Sequence, residues 1–298
     1  MSLVNPTHDA DGNQLSGATG QVADKTFEWD GENRLIAVKD NAGTVLVRYA
    51  YDHASRRIRR TEAATTTLYV YDAWNCVAEY QYSDTPSLQR SYTWGLDLSG
   101  TLQDAGGVGG LLSVSQISYA QISNTAHPTY DGNGNVSEYL TATGSTLAHY
   151  EYDAFGNVIA TTGNASAFEY RFSTKPQDAV TGWNYYGYRW YDAVSARWPS
   201  RDPIGVSGGA NAYGFVANDA INMLDLFGLK DQECEKKCEG GKPKQRDFFG
   251  GDCCAEDMKF VPVGPRGTLQ KKCGGGGDKD KDDDKGGSNG GSRCHLLN

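Results

Sequence analysis

The 298-residue sequence has no long apolar run and is poor in histidine and methionine. It contains only 5 His and 3 Met. No stretch approaches the 18 or more apolar residues of a membrane helix, so no membrane span is expected. The first residues lack the apolar core of a classical signal peptide, which predicts that any export uses another route. Basic residues number 28 against 37 acidic ones, a balance that disfavours nucleic-acid binding.

Aromatic residues are missing from the last part of the chain. All 18 Tyr and all 6 Trp lie at or before position 213, whereas residues 230–298 hold six of the seven Cys. The charge changes at the same place. Residues 1–229 carry 14 basic and 24 acidic side chains, and residues 230–298 carry 14 and 13. The composition therefore predicts two unlike parts that meet at Leu229.

The first part contains a repeated motif in which an aromatic residue or His precedes Asp. The Asp residues stand at positions 9, 30, 52, 72, 131 and 153. Asp begins turns by accepting hydrogen bonds from the backbone that follows, and Gly and Asn tolerate the positive φ of such turns. The flanks alternate with period two, and helical periodicity is nowhere sustained. The pattern predicts an all-β fold of tandem hairpins stacked edge to edge in a long curved sheet.

These repeats resemble those of the rearrangement-hot-spot (RHS) proteins, also called Tyr-Asp-repeat or YD-repeat proteins. Residues 170–229 are similar to that family's repeat-associated core domain, notably in Tyr185-Tyr186-Gly187-Tyr188-Arg189 and Arg201-Asp202-Pro203-Ile204-Gly205. The resemblance implies three regions: a YD-repeat sheet at 1–169, the core domain at 170–229 and a variable tail at 230–298.

The family's repeats form a hollow β-shell around a C-terminal polypeptide, commonly a toxin. About six repeats are too few to close such a shell. The chain is therefore expected to be the terminal piece of a longer protein, or its sheet needs other cover, because a long open sheet exposes edges that aggregate.

The resemblance also implies that the chain cuts itself between Leu229 and Lys230, where the family's final Gly-Leu ends. The matching carboxylates are Asp202 and Asp225. They would act as an aspartic dyad, in which one carboxyl stays protonated to polarise the carbonyl while the other activates water. Arg201 is expected to stabilise the charged member. Such self-cleavage is the only enzymatic activity that the sequence suggests.

Two departures from the family pattern affect this boundary. Ala220 and Leu226 stand where the family usually has proline, which relaxes the backbone that presents the scissile bond. The alternative interpretation is that both Asp residues only cap turns, the usual role of Asp beside Pro or Gly.

The tail has too few large apolar residues to fold without crosslinks. Its six cysteines are therefore candidates for disulfides in an oxidising compartment, with 15 possible pairings. A metal site is the alternative, although the spacing lacks two Cys-x2-Cys knuckles. Residues 274–292 are rich in Gly, Asp and Lys and are expected to be a disordered linker. No cofactor or metal is predicted, and the tail shows no catalytic constellation. The disulfide candidates are Cys234, Cys238, Cys253, Cys254, Cys273 and Cys294.

Two functions fit these observations. In the first, the chain is the C-terminal part of a secreted or cell-surface toxin carrier that releases its tail. Its expected partners are a longer RHS shell or secretion apparatus, and an immunity protein or target-cell component for the tail. In the second, exposed aromatic rows bind sugars on a cell surface and the tail is a structural cap. The boundary motif lies where the composition changes, which favours the carrier.

Overall fold

The computed structural model describes residues 6–17 and 20–229, and beyond them the backbone of five short strands. The chain divides into two compact units, residues 1–255 and 256–298. The second unit contains two described strands, Met258–Lys259 and Gln270–Lys271, which pair with each other. All further description concerns the first unit. The boundaries predicted after residues 169 and 229 remain predictions.

Twelve strands form one antiparallel sheet in which every strand pairs with its neighbours in sequence. This confirms the all-β fold of tandem hairpins. The described residues contain no α-helix, only short 3₁₀ turns, and hence no helix able to cross a membrane. The strands are β1 (Lys25–Trp29), β2 (Leu35–Asp40), β3 (Val45–Tyr51), β4 (Arg57–Glu62), β5 (Thr65–Asp72), β6 (Asn75–Gln81), β7 (Ser87–Trp94), β8 (Leu111–Ser118), β9 (Gln121–Tyr130), β10 (Val136–Leu140), β11 (Thr146–Tyr152) and β12 (Val158–Gly163).

Three short hairpins follow the sheet within the first unit. They pair β13 (Asn184–Tyr185) with β14 (Trp190–Tyr191), β15 (Met223–Asp225) with β16 (Asp231–Glu233), and β17 (Lys244–Arg246) with β18 (Asp252–Cys254). The 3₁₀ turns span Gly20–Val22, Ala165–Ala167, Phe172–Thr174, Gly205–Gly208 and Val216–Asn218. Leu229 therefore lies in the connection between two paired strands.

The repeated Asp holds the turn between successive strands. In the second repeat, Asp30 Oδ1 accepts hydrogen bonds from the backbone N–H of Glu32 and Arg34, both at 3.0 Å. Asp52 and Asp131 each make the same pair of bonds at 2.9 Å. A carboxylate that accepts two backbone donors satisfies groups that the tight turn leaves unpaired, which explains why Asp recurs at this place.

The repeated Tyr ties each hairpin to the one before it. The Tyr51 hydroxyl donates to the carbonyl of Leu35 at 2.7 Å. Tyr71 donates to Arg57 at 2.9 Å and Tyr152 to Val136 at 2.8 Å. The ring is thus packed between strands while its polar end reaches a carbonyl of the earlier repeat, a combination that Phe could not supply.

The segment after β12 covers the aromatic face of the sheet. Phe168 and Tyr170 pack with Tyr139, Tyr150 and other residues of β5–β11. Trp183, Tyr185 and Trp190 pack with residues of β1–β3. Trp183, Trp190 and Trp198 are the largest fully buried side chains. Residues 168–198 of the same chain thus cover this face of the sheet.

Buried charges join this segment to the sheet. Arg60 Nε contacts Asp178 Oδ2 at 2.8 Å, and Arg57 Nη1 lies 3.9 Å from the same oxygen. The Arg57 guanidinium also lies over the rings of Tyr69 and Tyr185, 4.5 and 5.2 Å from their centroids. Strict alternation places Arg57 and Arg60 on opposite faces of a strand, yet both contact Asp178. The register shifts where Arg57, the first residue of β4, pairs with Tyr51.

Trp183→Ala is expected to reduce the free energy of unfolding by roughly 3–5 kcal/mol, because it removes a large buried side chain. The Trp183 ring is fully buried and lies 4.6 Å from the ring of Phe27 in β1. Urea denaturation followed by circular dichroism measures the change. Tyr82→Ala is the control, since Tyr82 is 61% exposed and its loss should cost little. Similar losses for both variants would contradict the assignment of residues 168–198 as the cover of the sheet.

Candidate functional site

Arg189 lies at the centre of the site predicted at the end of residues 170–229, called here the core segment. It precedes β14, is 3% exposed and packs 4.1 Å from the centroid of the Trp198 ring. Its Nη2 is 2.8 Å from Asp202 Oδ2 and 3.5 Å from Asp225 Oδ2. Its Nε donates to the carbonyl of Gly228. One guanidinium thus contacts both predicted carboxylates and the turn that ends at Leu229.

Asp225 is the last residue of β15 and holds the turn that follows. Its Oδ1 accepts three backbone N–H bonds, from Phe227 at 3.2 Å, Gly228 at 2.7 Å and Leu229 at 3.1 Å. Its Oδ2 is buried and has no hydrogen-bond partner among the described residues. A single oxygen of Asp225, Oδ1, therefore both caps the turn and contacts the Leu229 amide.

Asp202 also lies near Leu229. Its Oδ1 accepts a hydrogen bond from the backbone N–H of Ile204 at 3.0 Å, so Asp202 also caps a turn. The other oxygen, Oδ2, and the carbonyl oxygen of Leu229 both lie beside Gly208. A Cβ on Gly208 would stand 2.3 Å from Asp202 Oδ2 and 2.8 Å from the Leu229 oxygen. The absence of a side chain at Gly208 is what allows these two oxygens to come close.

Burial makes both carboxylates harder to ionise. It raises the pKa of Asp225 to about 6, against the opposing effects of Arg189 and of the three backbone N–H donors. Burial also raises the pKa of Asp202, which Arg189 opposes. With a pKa of about 6, Asp225 holds a proton at mildly acidic pH, where an ordinary Asp carboxyl is ionised.

The structure brings together Asp202, Asp225 and Leu229, but it places Arg201 elsewhere. Arg201 is exposed, and its Nε donates to the Tyr213 hydroxyl at 3.2 Å. Adjacent residues of an extended chain point in different directions, so the neighbour of Asp202 in sequence does not share its surroundings. Lys230 lies outside the described residues.

The two departures from the family pattern are both buried. Ala220 packs against the aromatic cluster around Tyr191 and Phe215, and Leu226 packs with Ala105 and Val108. Each side chain therefore has an apolar environment of its own. The turn after Asp225 obtains its conformation from the three bonds to that carboxylate, without a proline.

Arg189 was missed by reasoning from the sequence, although a signal was present. It is the only charged residue in the aromatic stretch 183–191. A charge inside a segment that must be buried needs an opposite charge to pair with, and the segment itself supplies none. That argument predicts a buried ion pair but does not identify the partners.

Cys76 is free and buried, as expected for a thiol among β-repeat residues. Among the described residues, no group of three or more His, Cys, Asp or Glu is arranged to hold a metal ion. Outside the described residues lie Cys234, Cys238, Cys273 and Cys294, and only the backbone of β18 is described for Cys253 and Cys254.

The site thus lies at the end of an array of antiparallel hairpins covered by an aromatic segment, which defines the class as a β-hairpin repeat protein. The RHS Repeat family matches residues 29–67 and 130–167. Relatives include the double-stranded DNA deaminase toxin A of Burkholderia cenocepacia, 28% identical over 241 residues, which are 74% of this chain and 16% of that protein. In the two matched stretches the chain is similar to the RHS/YD-repeat proteins.

Further similarities are to toxin components. Toxin subunit YenC2 of Yersinia entomophaga is 42% identical over 59 residues, 20% of this chain and 6% of that protein. The crystal structure of TcdB2-TccC3-Cdc42 matches with a TM-score of 0.58 and 22% identity, covering 74% of this chain and 11% of that one. The structure of a Photorhabdus luminescens Tc holotoxin pore matches with a TM-score of 0.58 and 20% identity, covering 83% of this chain and 11% of that one. This chain therefore spans a small part of each relative's length.

Gly228→Ala is expected to destabilise the protein more than Gly43→Ala. Both glycines have a positive φ, 76° and 82°, so alanine is strained at either position. A Cβ at Gly43 would meet nothing within 4 Å, whereas one at Gly228 would meet the N and Cβ atoms of Arg189 at 3.1 Å. The difference between the two losses, measured by urea denaturation, gives the steric cost alone. Equal losses would show that Gly228 does not pack closely against Arg189.

Proposed function

We propose that this protein is a toxin carrier of the RHS type, and that its core segment cuts the chain after Leu229. The observation that carries the proposal is the convergence of Asp202 and Asp225 on Arg189, beside the amide and the carbonyl of Leu229. The toxin names of the relatives support the carrier role. On this proposal the protein acts outside the cell that makes it, together with a longer RHS shell or secretion apparatus.

The surroundings of the two carboxylates suggest their roles. Asp225 has a pKa raised to about 6, and its Oδ2, which lies 3.5 Å from Arg189 Nη2 and makes no hydrogen bond, can carry a proton. Asp202 lies closer to the Arg189 guanidinium, which favours its ionised form. We therefore assign Asp225 as the acid that polarises the Leu229 carbonyl and Asp202 as the base that activates water.

The bond changes of the proposed cut balance without a cofactor. Water attacks the carbonyl carbon of Leu229, its proton passes to Asp202, and the carbonyl oxygen takes the proton of Asp225. When the tetrahedral intermediate collapses, the bond to the nitrogen of Lys230 breaks and Asp202 returns its proton to that nitrogen. As the carbonyl re-forms, one hydroxyl of the tetrahedral intermediate gives its proton back to Asp225. Arg189 remains charged throughout and neutralises the single negative charge of the pair.

The purified protein is expected to be cut after Leu229, which intact mass measurement detects. Asp202→Asn and Asp225→Asn should each slow the cut by at least about 100-fold, since each removes one acid–base group. Asp219→Asn is the matched control, because Asp219 caps a turn in the same segment through Asn222. The rate should fall about tenfold per pH unit above pH 6, as Asp225 loses its proton. A full-length protein that persists for days and matches both variants would leave these carboxylates as turn caps.

The whole chain is expected to harm a sensitive cell, and a chain that ends at Leu229 is not, because the effector is proposed to be residues 230–298. Growth after expression in the cytoplasm or the periplasm is the readout. An immunity protein or target component for the tail is part of the same proposal. A harmless whole chain in both compartments, with tight polysaccharide binding by the chain ending at Leu229, would support the adhesion module instead. Among the described Tyr, Trp and Phe residues only Tyr82 and Tyr119 are exposed, which disfavours sugar stacking.

A further inference from the structure

Lys175 is a buried lysine that the proposed cut does not use. It is 7% exposed and follows the 3₁₀ turn Phe172–Thr174. Its Nζ donates to the carbonyl of Leu226 at 2.7 Å and to the carbonyl of Gly106 at 2.9 Å. A lysine is rarely buried unless its charge is compensated, so the place of this ammonium needs an explanation.

The two carbonyls belong to segments that meet at the site. Leu226 is the first residue of the turn that Asp225 holds and that ends at Leu229. Gly106 lies in the loop between β7 and β8, and a Cβ on it would stand 2.8 Å from the Leu226 oxygen. Lys175 therefore fastens the start of this turn to the loop through one ammonium group.

The charge of Lys175 acts on the same carboxylate that Arg189 contacts. Arg189 Nη2 contacts both Asp225 and Asp202, and the Lys175 ammonium binds the carbonyl of Leu226, the residue that follows Asp225. The charge of Asp225 in turn favours the protonated forms of Lys175 and Tyr186. Burial lowers the pKa of Lys175 to about 8, and the charges of Asp225 and Asp97 oppose that change. Lys175 is therefore still cationic at the pH where Asp225 titrates, and it lies 5.5 Å from the centroid of the Tyr186 ring.

We propose that Lys175 is a positioning residue for the cut after Leu229: it holds the Leu226 carbonyl, and so the turn that presents Leu229, and it places a second positive charge beside Asp225. This inference rests on the proposed function. Lys175 does not touch the reacting atoms and acts through Asp225 and the turn. The two roles separate experimentally, because holding the turn affects the rate at every pH, whereas the charge determines the pH range in which the cut occurs.

The test compares Lys175→Met with Lys175→Arg and with Lys39→Met, a matched control on β2. Lys175→Met should slow the cut at least about tenfold. The pH above which the rate of cutting falls, called here the high-pH limit, should also move up by about one pH unit, because Asp225 keeps its proton to higher pH without the neighbouring charge. Lys175→Arg keeps the charge and should retain the wild-type limit, and Lys39→Met should behave as wild type. Slower cutting by Lys175→Met with an unchanged limit, or an unchanged rate, would overturn the proposal.

An NMR titration separates failure of this inference from failure of the proposed function. In protein that stays uncut, the wild type itself or Asp202→Asn, the Asp225 carboxyl should titrate at higher pH when Lys175→Met is added. If the Lys175→Met variant does not fold, the Lys175 ammonium is followed in protein that retains it. It should be protected from exchange and titrate near pH 8, well below the value of about 10.4 for a solvated lysine. A wild type that is never cut disproves the proposed function, whereas a solvated Lys175 or an unmoved Asp225 disproves its coupling.

Discussion

A sheet of twelve strands with one aromatic face can exist in water only if that face is covered, and here the cover comes from the same chain. Trp183 and Trp190 are fully buried against residues of β1–β3. Tyr51, Tyr71 and Tyr152 each donate a hydroxyl hydrogen bond to a backbone carbonyl of the preceding repeat. The core segment is thus both the interior of the repeat sheet and the scaffold of the site, so damage to one should be felt in the other.

The site itself depends on a buried guanidinium. Arg189 sits between Asp202 and Asp225, and without it two carboxylates would be buried with insufficient compensation. Its Nε also binds the Gly228 carbonyl, so the charge that permits the pair also fixes the turn against it. Structure and chemistry therefore cannot be assigned to separate residues here. Asp225 illustrates this directly, because one of its oxygens closes the turn and the other lies 3.5 Å from Arg189 Nη2.

The features predictable from the sequence were the local ones. The turn Asp residues at positions 30, 52, 131 and 153 bond backbone groups two and four residues later, so a short window of sequence contains the whole turn. The period-two flanks identify the strands. Asp202 and Asp225 were placed by resemblance. The contacts that depend on chain convergence were not predictable: residues 168–198 as the cover of the sheet, and Arg189 as the partner of the carboxylates. Arg201 was expected to stabilise the carboxylates because it adjoins Asp202 in sequence, yet its Nε donates to the Tyr213 hydroxyl.

The position of the candidate bond between β15 and β16 bears on what a cut would achieve. The two strands pair through only three residues each, Met223–Asp225 with Asp231–Glu233. While the chain is continuous, the short connection keeps β16 at a high effective concentration beside β15. A ladder of three pairs is marginal in water on its own, and a cut after Leu229 removes that linkage. Cleavage at this bond therefore converts a pairing maintained by chain connectivity into one that can dissociate, which is the property that a carrier of a releasable tail requires.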